Sequence, residues 1–364
     1  MNPVIEGLRG MGALMVLVHH YVYSLNPENA ATLAGWHFFH AGVDLFFVLT
    51  GYLFAPLVLG LRHQAPKVFL KRRVWRLYPL YLLSLILTLA FAPNSNWQIW
   101  LENTPQTLWQ LAQHLFFLQT APWQSLQQMA YFNEVYWTLS VEVAFYALVL
   151  ACLFLPATLS PKLRFWGLGA LSIIGFLVLY YWQHQTNSGS WVIRQAQLPT
   201  LLIEFWFGMA VFYWLKKRGQ SQFKTKLTLT PYLLTAAGLG LLVACYIAYP
   251  TAVIGAISPR PFGWLNLLSA LAFALLLAGL LLTPSMKNSF LNNSFLKSCA
   301  NKLALGLGAI SYGVYLLHSL VLGLMSGVFA TELLQVIAST LVTLVLAAVV
   351  YRWFEQPSRN WGRR

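Results

Sequence analysis

The residues best suited to chemistry open the chain. In Glu6-Gly-Leu-Arg-Gly-Met-Gly-Ala-Leu-Met-Val-Leu-Val-His-His-Tyr21, Arg9 stands near the start of an apolar stretch and His19-His20 deep within it. On a helix, eleven residues return His20 to within about 20° of Arg9, roughly 16 Å along the axis, while His19 lies about 80° off that line. A fixed cation at a membrane edge and a titratable base at membrane depth, on one face, indicate a site rather than an anchor. Imidazole, with an ordinary pKa of about 6.5, suits proton abstraction near neutrality. As ordinary structure, His20 would bond a neighbouring helix and Arg9 would snorkel to the interface.

Further candidates follow along the chain. Asp44, in Gly42-Val-Asp-Leu-Phe-Phe-Val-Leu-Thr-Gly51, stands alone in an apolar run and needs a partner, for which an Arg or His of the first helix is the natural choice. In Lys71-Arg-Arg-Val-Trp-Arg-Leu-Tyr-Pro79, Arg73 and Arg76 are three apart at an expected helix start. They would project from one side beside free N–H groups, a competent arrangement for a phosphorylated ligand. Glu142, in Tyr136-Trp-Thr-Leu-Ser-Val-Glu-Val-Ala-Phe-Tyr146, lies a turn and a half into a span, where a carboxylate must be paired or protonated. It could orient an imidazole or receive an acceptor hydroxyl. Glu204 reads as a helix-pairing group and His318 as a structural histidine. His37, His40, His114 and His184 fall at the outer interface with no metal-ligand spacing, so no metal site is expected.

The elements that must position these groups are membrane spans. The 364 residues are 58% hydrophobic and 9% charged, too apolar for a soluble protein and consistent with an all-α polytopic bundle. Ten stretches can cross a hydrocarbon core: 8–25, 38–61, 75–92, 134–155, 165–182, 199–215, 231–249, 264–282, 305–327 and 333–353. With both termini in the cytoplasm, every Lys and Arg except Arg194 and Arg260 falls on the inner side, a distribution that fixes orientation. The net charge of +14 is therefore topological and argues against nucleic acid as a partner.

The connection 93–133 has no Lys or Arg and contains Trp97, Trp100, Trp109 and Trp123; its run 105–118 has helical apolar spacing but is too short to span, as for an interfacial helix. Cys152, Cys245 and Cys299 form no disulfide or metal pattern. The N-terminal stretch lacks a basic n-region and cleavage site, so a retained helix is expected. One domain over 1–364 is expected, with no fused extracytoplasmic domain.

Taken in order, these motifs resemble the membrane-bound acyltransferase 3 family, transmembrane enzymes that O-acylate cell-surface polysaccharides and related acceptors. Glu6-Gly-Leu-Arg-Gly with His20 is similar to its first helix, and Gly42 to Leu53 to its second, with Thr50 where Ser is usual. Arg73-Val-Trp-Arg-Leu-Tyr-Pro79 resembles its cytoplasmic Arg motif, although some members carry Arg-x-Arg, so Arg72, Arg73 and Arg76 all remain candidates. Trp137-Thr-Leu-Ser-Val-Glu142 resembles its Trp-Ser-Leu-x-x-Glu pattern, with Thr138 for Ser. Glu204-Phe-x-x-Gly208, Ser311-Tyr-Gly-x-Tyr-Leu-x-His318 and Phe354-Glu-Gln-Pro357 extend the likeness to the last helix.

The resemblance implies an acyl-CoA donor, most often acetyl-CoA, in the cytoplasm and a carbohydrate or glycolipid hydroxyl as acceptor, in a bacterial cytoplasmic membrane. It places the essential Arg and His on Arg9 and His20, with His20 a general base or a transient acyl carrier. Arg72, Arg73 and Arg76 would hold the CoA phosphates, Glu142 would position imidazole or acceptor, and Asp44 and His19 would support. The competing classes are a flippase of lipid-linked sugars and a non-catalytic subunit of an envelope-polymer assembly. Against a flippase, no pair of Gly/Pro-broken helices repeats between two halves.

Overall fold

The computed structural model describes residues 2–25, 36, 38–91, 104–120, 132–156, 158–185, 197–220, 229–253, 264–283, 294–329 and 331–364. These form α-helices without strands: α1 (Pro3–Leu25), α2 (Gly42–Val58), α3 (Pro66–Phe91), α4 (Thr104–Leu115), α5 (Trp137–Leu153), α6 (Pro161–Gln185), α7 (Leu198–Gln220), α8 (Thr230–Val253), α9 (Trp264–Leu282), α10 (Ser294–Met325), α11 (Glu332–Val350) and α12 (Gln356–Trp361). Each of the ten expected spans coincides with a helix. Eight are long and apolar enough to cross a membrane, and α5, at 17 residues, is a shorter apolar helix. The 23-residue α1 is long enough, but Glu6, Arg9, His19 and His20 dilute its apolar character. The protein is a multi-pass integral membrane protein. Arg194, Arg260, His37, Trp97, Trp100 and Trp123, and the side chain of His184, lie outside the described residues.

One expectation needs correction. The helix carrying Arg73 and Arg76 begins at Pro66, not near residue 75, and the Phe69 N–H already donates to the Ala65 carbonyl at 3.0 Å. Hydropathy marks where a chain becomes apolar, whereas the helix starts at Pro66, whose fixed φ and missing N–H suit the first helical position. The arginines therefore sit in the second and third turns, away from the free N–H groups. Any anion they bind is held by side chains alone.

The chain divides into two compact units. The first comprises residues 1–55 and 203–311, around a core of Ile5, Leu8, Phe38, Leu45, Val48, Leu49, Tyr249, Phe273 and Leu277. Glycines set its helix crossings. A Cβ on Gly51 would collide with the Phe205 carbonyl, and one on Gly208 with the Val48 carbonyl, so α2 and α7 meet backbone to backbone. Gly12 and Gly42 make the same close approach between α1 and α2.

The second unit comprises residues 56–202 and 312–364 and is tied by hydroxyls. Tyr312 Oη donates to the Leu77 carbonyl (2.9 Å), Tyr315 Oη to the Val135 carbonyl (3.1 Å), and Ser84 Oγ lies 2.8 Å from Tyr136 Oη. Arg164, counted above among topological cations, is buried instead. Its guanidinium donates to the carbonyls of Cys152, Leu155, Pro156 and Leu159 at 2.8 to 3.3 Å, closing the C-terminal end of α5. Gly60, at φ +68°, packs against that guanidinium.

The amphipathic α4 exposes Leu108 and Trp109 and buries Gln113 and His114. Tyr81 donates to the His114 carbonyl at 3.0 Å, and Tyr78 to that of Leu115, fixing α4 on α3. The His114 Nδ1–H donates to the Gln110 carbonyl at 2.8 Å, but burial dominates and pushes the imidazole pKa down from 6.5 to about 4.

Two outcomes follow. Arg164→Ala should cost about 2–4 kcal/mol by orphaning the Cys152 carbonyl of α5 and those of Leu155, Pro156 and Leu159 after it, read as a lower thermal midpoint in detergent. The unfolded chain protonates His114 near pH 6.5 while the folded chain refuses the proton until about 4, so stability should fall on acidification through that window and no further below it. Melting curves from pH 7 to 4 should show a shallower decline for His114→Gln than for the unmodified protein.

Candidate functional site

The candidate residues separate into two groups, one in each unit. In the first unit, Arg9 Nη1 lies 3.4 Å from Glu6 Oε2, an i, i+3 pair largely withdrawn from solvent. Glu6 belongs to the motif quoted above, yet its role as the arginine's partner was not anticipated; the three-residue spacing was the available signal. His20 lies eleven residues on, half-buried. Its Nδ1 is 2.9 Å from the Val16 carbonyl, an acceptor that requires the proton on Nδ1 and leaves Nε2 as the basic nitrogen of the neutral ring. The backbone of α1 thus fixes the tautomer that a general base needs.

Around this helix the structure joins His19 and Asp44 to residues that had no role assigned from sequence, His40, Tyr249 and Asn266. The His19 ring stands 5.0 Å from His20 and 5.8 Å from His40, which itself lies 5.3 Å from the Tyr249 ring. His40 is buried within the protein. Both oxygens of Asp44 accept from Asn266 Nδ2 at 3.2 Å, and the same nitrogen is 3.4 Å from His40 Nε2. The Asn266 contribution comes from α9, more than two hundred residues away, and no local spacing announces it. Among the described residues, no three His, Cys, Asp or Glu side chains converge to hold a metal ion.

In the second unit, Arg72, Arg73 and Arg76 of α3 line one cavity of about 370 Å³ with Arg359 and Arg363. The C-terminal pair was not among the expected site residues. Arg73 is held against aromatic surface: its guanidinium carbon lies 5.7 Å from the Tyr146 ring centroid and 6.0 Å from that of Phe69. Tyr146 donates its hydroxyl to Glu142 Oε1, one turn back on α5. Glu142 is thus linked through Tyr146 to Arg73. The i, i+4 spacing of Glu142 and Tyr146 was readable in the sequence; their link to Arg73 was not. Arg359 Nη1 lies 3.4 Å from the buried Glu355 carboxylate.

Of the remaining candidates, Glu204 is buried on α7. His318 is fully buried on α10, with Nδ1 3.0 Å from the Val314 carbonyl.

A clustered set of guanidiniums shaped for phosphate and a tautomerically fixed imidazole are two components of group transfer from a phosphorylated carrier. Comparison with known proteins agrees in kind. A family model described as an acyltransferase domain, acyltransferase 3, matches residues 2–352. The chain is similar to the O-acetyltransferase OatA of Staphylococcus aureus strain NCTC 8325, with 24% identity over 382 residues, covering 99% of this chain and 57% of that protein. It is similar also to the peptidoglycan O-acetyltransferase OatA of Listeria monocytogenes serovar 1/2a, at 26% over 381 residues, 99% of this chain and 56% of that protein. The chain therefore spans little more than half the length of these relatives. No solved structure matches it significantly.

Proposed function

The chain belongs to the acyltransferase 3 family, and from that premise we propose that it is an integral-membrane O-acyltransferase. In this reading it moves an acyl group from cytoplasmic acyl-CoA to a hydroxyl of an extracytoplasmic or membrane-associated glycan. Likeness to two named O-acetyltransferases supports acetyl as the group and acetyl-CoA as the donor. The name of the Listeria relative supports a cell-wall glycan as acceptor. The Lys and Arg distribution supports cytoplasmic termini in a bacterial cytoplasmic membrane.

The observation that carries the reading is the arginine-lined cavity of the second unit. Planar guanidiniums pair with phosphate oxygens two bonds at a time, and CoA carries both a diphosphate and a 3′-phosphate. Arg72, Arg73 and Arg76 hold the donor in this proposal. Glu142 acts as a positioning residue, setting Tyr146 and through it Arg73. His20 takes the acceptor hydroxyl's proton on Nε2, and the oxygen attacks the thioester carbonyl. The C–S bond breaks, and the CoA thiolate leaves and recovers the proton from the imidazolium. In the covalent variant Nε2 itself attacks first and the acyl-imidazole is then transferred. Arg9, held by Glu6, adds a fixed positive charge on the same helix, and Asp44 and His19 support the polar surroundings of His20.

Purified protein incubated with labelled acetyl-CoA should release CoA in the presence of a glycan acceptor, an activity that neither a flippase nor a passive subunit would have. His20→Ala should lower transfer by about a hundredfold or more, with membrane insertion and melting unchanged; near-normal turnover would remove His20 from the mechanism. Arg73→Gln or Arg76→Gln should raise the KM for acetyl-CoA about tenfold with a smaller effect on kcat, whereas an unchanged KM would leave these arginines a topological role only.

A further inference from the structure

The sequence beyond residue 352 lies outside the family match, yet it supplies two of the five guanidiniums in the cavity. Its path is constrained. After α11 the helix passes through a single π-helical turn, Tyr351–Glu355, before α12 resumes. Such a turn admits an extra residue and re-aims everything after it, and it occurs frequently at functional sites. The re-aimed segment is docked on α3. The Trp361 ring stands 5.5 Å from Trp75, and a Cβ on Gly362 would come within 2.6 Å of the Trp75 Cβ, so no larger residue fits there without displacement. Trp75 lies between Arg73 and Arg76, and the same contact that seats α12 brings Arg359 and Arg363 to the arginines of α3.

The seat suits an anion. Five guanidiniums line a cavity of about 370 Å³; Glu355 lies on Arg359, and Glu142 reaches Arg73 through Tyr146. Like charges this close destabilise one another, and a bound anion relieves that. Five planar donors offer more paired hydrogen bonds than the oxygens of one phosphate group accept. The volume is near the lower end of the roughly 300–1,000 Å³ typical of small-molecule sites, room for a phosphorylated head and not for a whole CoA-sized molecule.

We propose that Arg359 and Arg363 form the second half of a two-phosphate site whose first half is Arg72, Arg73 and Arg76, and that the C-terminal segment thereby discriminates donors by their second phosphate group. The inference rests on the acyl-CoA reading given above and adds to it a specificity element. CoA, with diphosphate and 3′-phosphate, satisfies both halves; 3′-dephospho-CoA satisfies one.

The test measures Kd for CoA and for 3′-dephospho-CoA by calorimetry on detergent-purified, full-length protein, beside Arg359→Gln and Arg363→Gln. Arg363 is exposed, so its variant tolerates the change even if loss of the Arg359–Glu355 contact disturbs folding. The unmodified protein should prefer CoA about tenfold or more, and each variant should weaken CoA binding until that preference largely disappears. Gly362→Leu, which lifts α12 from Trp75, should do the same. If the variants keep the original preference, or lose affinity for both ligands equally, the inference is overturned while acyl-CoA binding itself stands. If the unmodified protein binds neither ligand, the donor reading fails with it. A parallel arm in phosphatidylcholine nanodiscs with and without cardiolipin covers a lipid source. Variants that bind CoA normally but no longer retain cardiolipin would also overturn the inference.

Discussion

The cost of placing charge where water is scarce governs this structure. Among the described residues, several buried ionisable groups are held by identifiable neighbours, and the type of neighbour differs from one to the next. Arg164 directs four of its five N–H donors to backbone carbonyls, a structural use. Asp44 accepts on both oxygens from a neutral amide, that of Asn266. Arg9 is matched by Glu6 on its own helix, which lets the pair sit together at the start of α1. The arginines of α3 differ in kind: Arg73 lies against the faces of Phe69 and Tyr146, and all three line one cavity.

Much of the architecture was legible because hydropathy reports the membrane directly. All ten expected spans became helices, since a hydrogen-bonded backbone is the only cheap way through hydrocarbon. Helix starts were less legible. Apolarity and helicity are different properties, and α3 and α10 both begin well before their apolar runs, at Pro66 and Ser294. The misplaced start of α3 carried an error into chemistry, because it put helix N–H groups beside Arg73 and Arg76 where the structure has a helix interior. The crossings at Gly51–Phe205 and Gly208–Val48 were invisible for another reason. A glycine's importance lies in the backbone it meets, and that partner lies some 150 residues away in sequence.

The site divides the same way. Contacts within one helix follow from spacing: Arg9 with Glu6, His20 with the Val16 carbonyl, Glu142 with Tyr146. Contacts between helices do not. His40 carried no assigned role in the sequence, yet the 3-10 turn at Phe38–Ala41 brings it beside His19. Arg359 and Arg363 read as inner-face topology signals because terminal basic residues usually are. The π-helical turn and Gly362, which direct them to α3, have no signature in composition or hydropathy.

Residue type offers a way to separate those two readings of a basic stretch. A topological signal needs only charge, which Lys and Arg supply equally, and charge is cheapest when fully hydrated. A phosphate site needs planar donors that survive partial dehydration, which Arg provides and Lys does not. In the stretch from Lys67 to Arg76 the two types sort accordingly. Lys67 and Lys71 are exposed, whereas Arg72, Arg73 and Arg76 are partly withdrawn into the cavity, Arg73 between Phe69 and Tyr146. Were the stretch only a membrane-orientation signal, nothing would draw the arginines inward and leave the lysines out. The sorting supports the proposal that this turn of α3 binds a ligand in addition to marking topology.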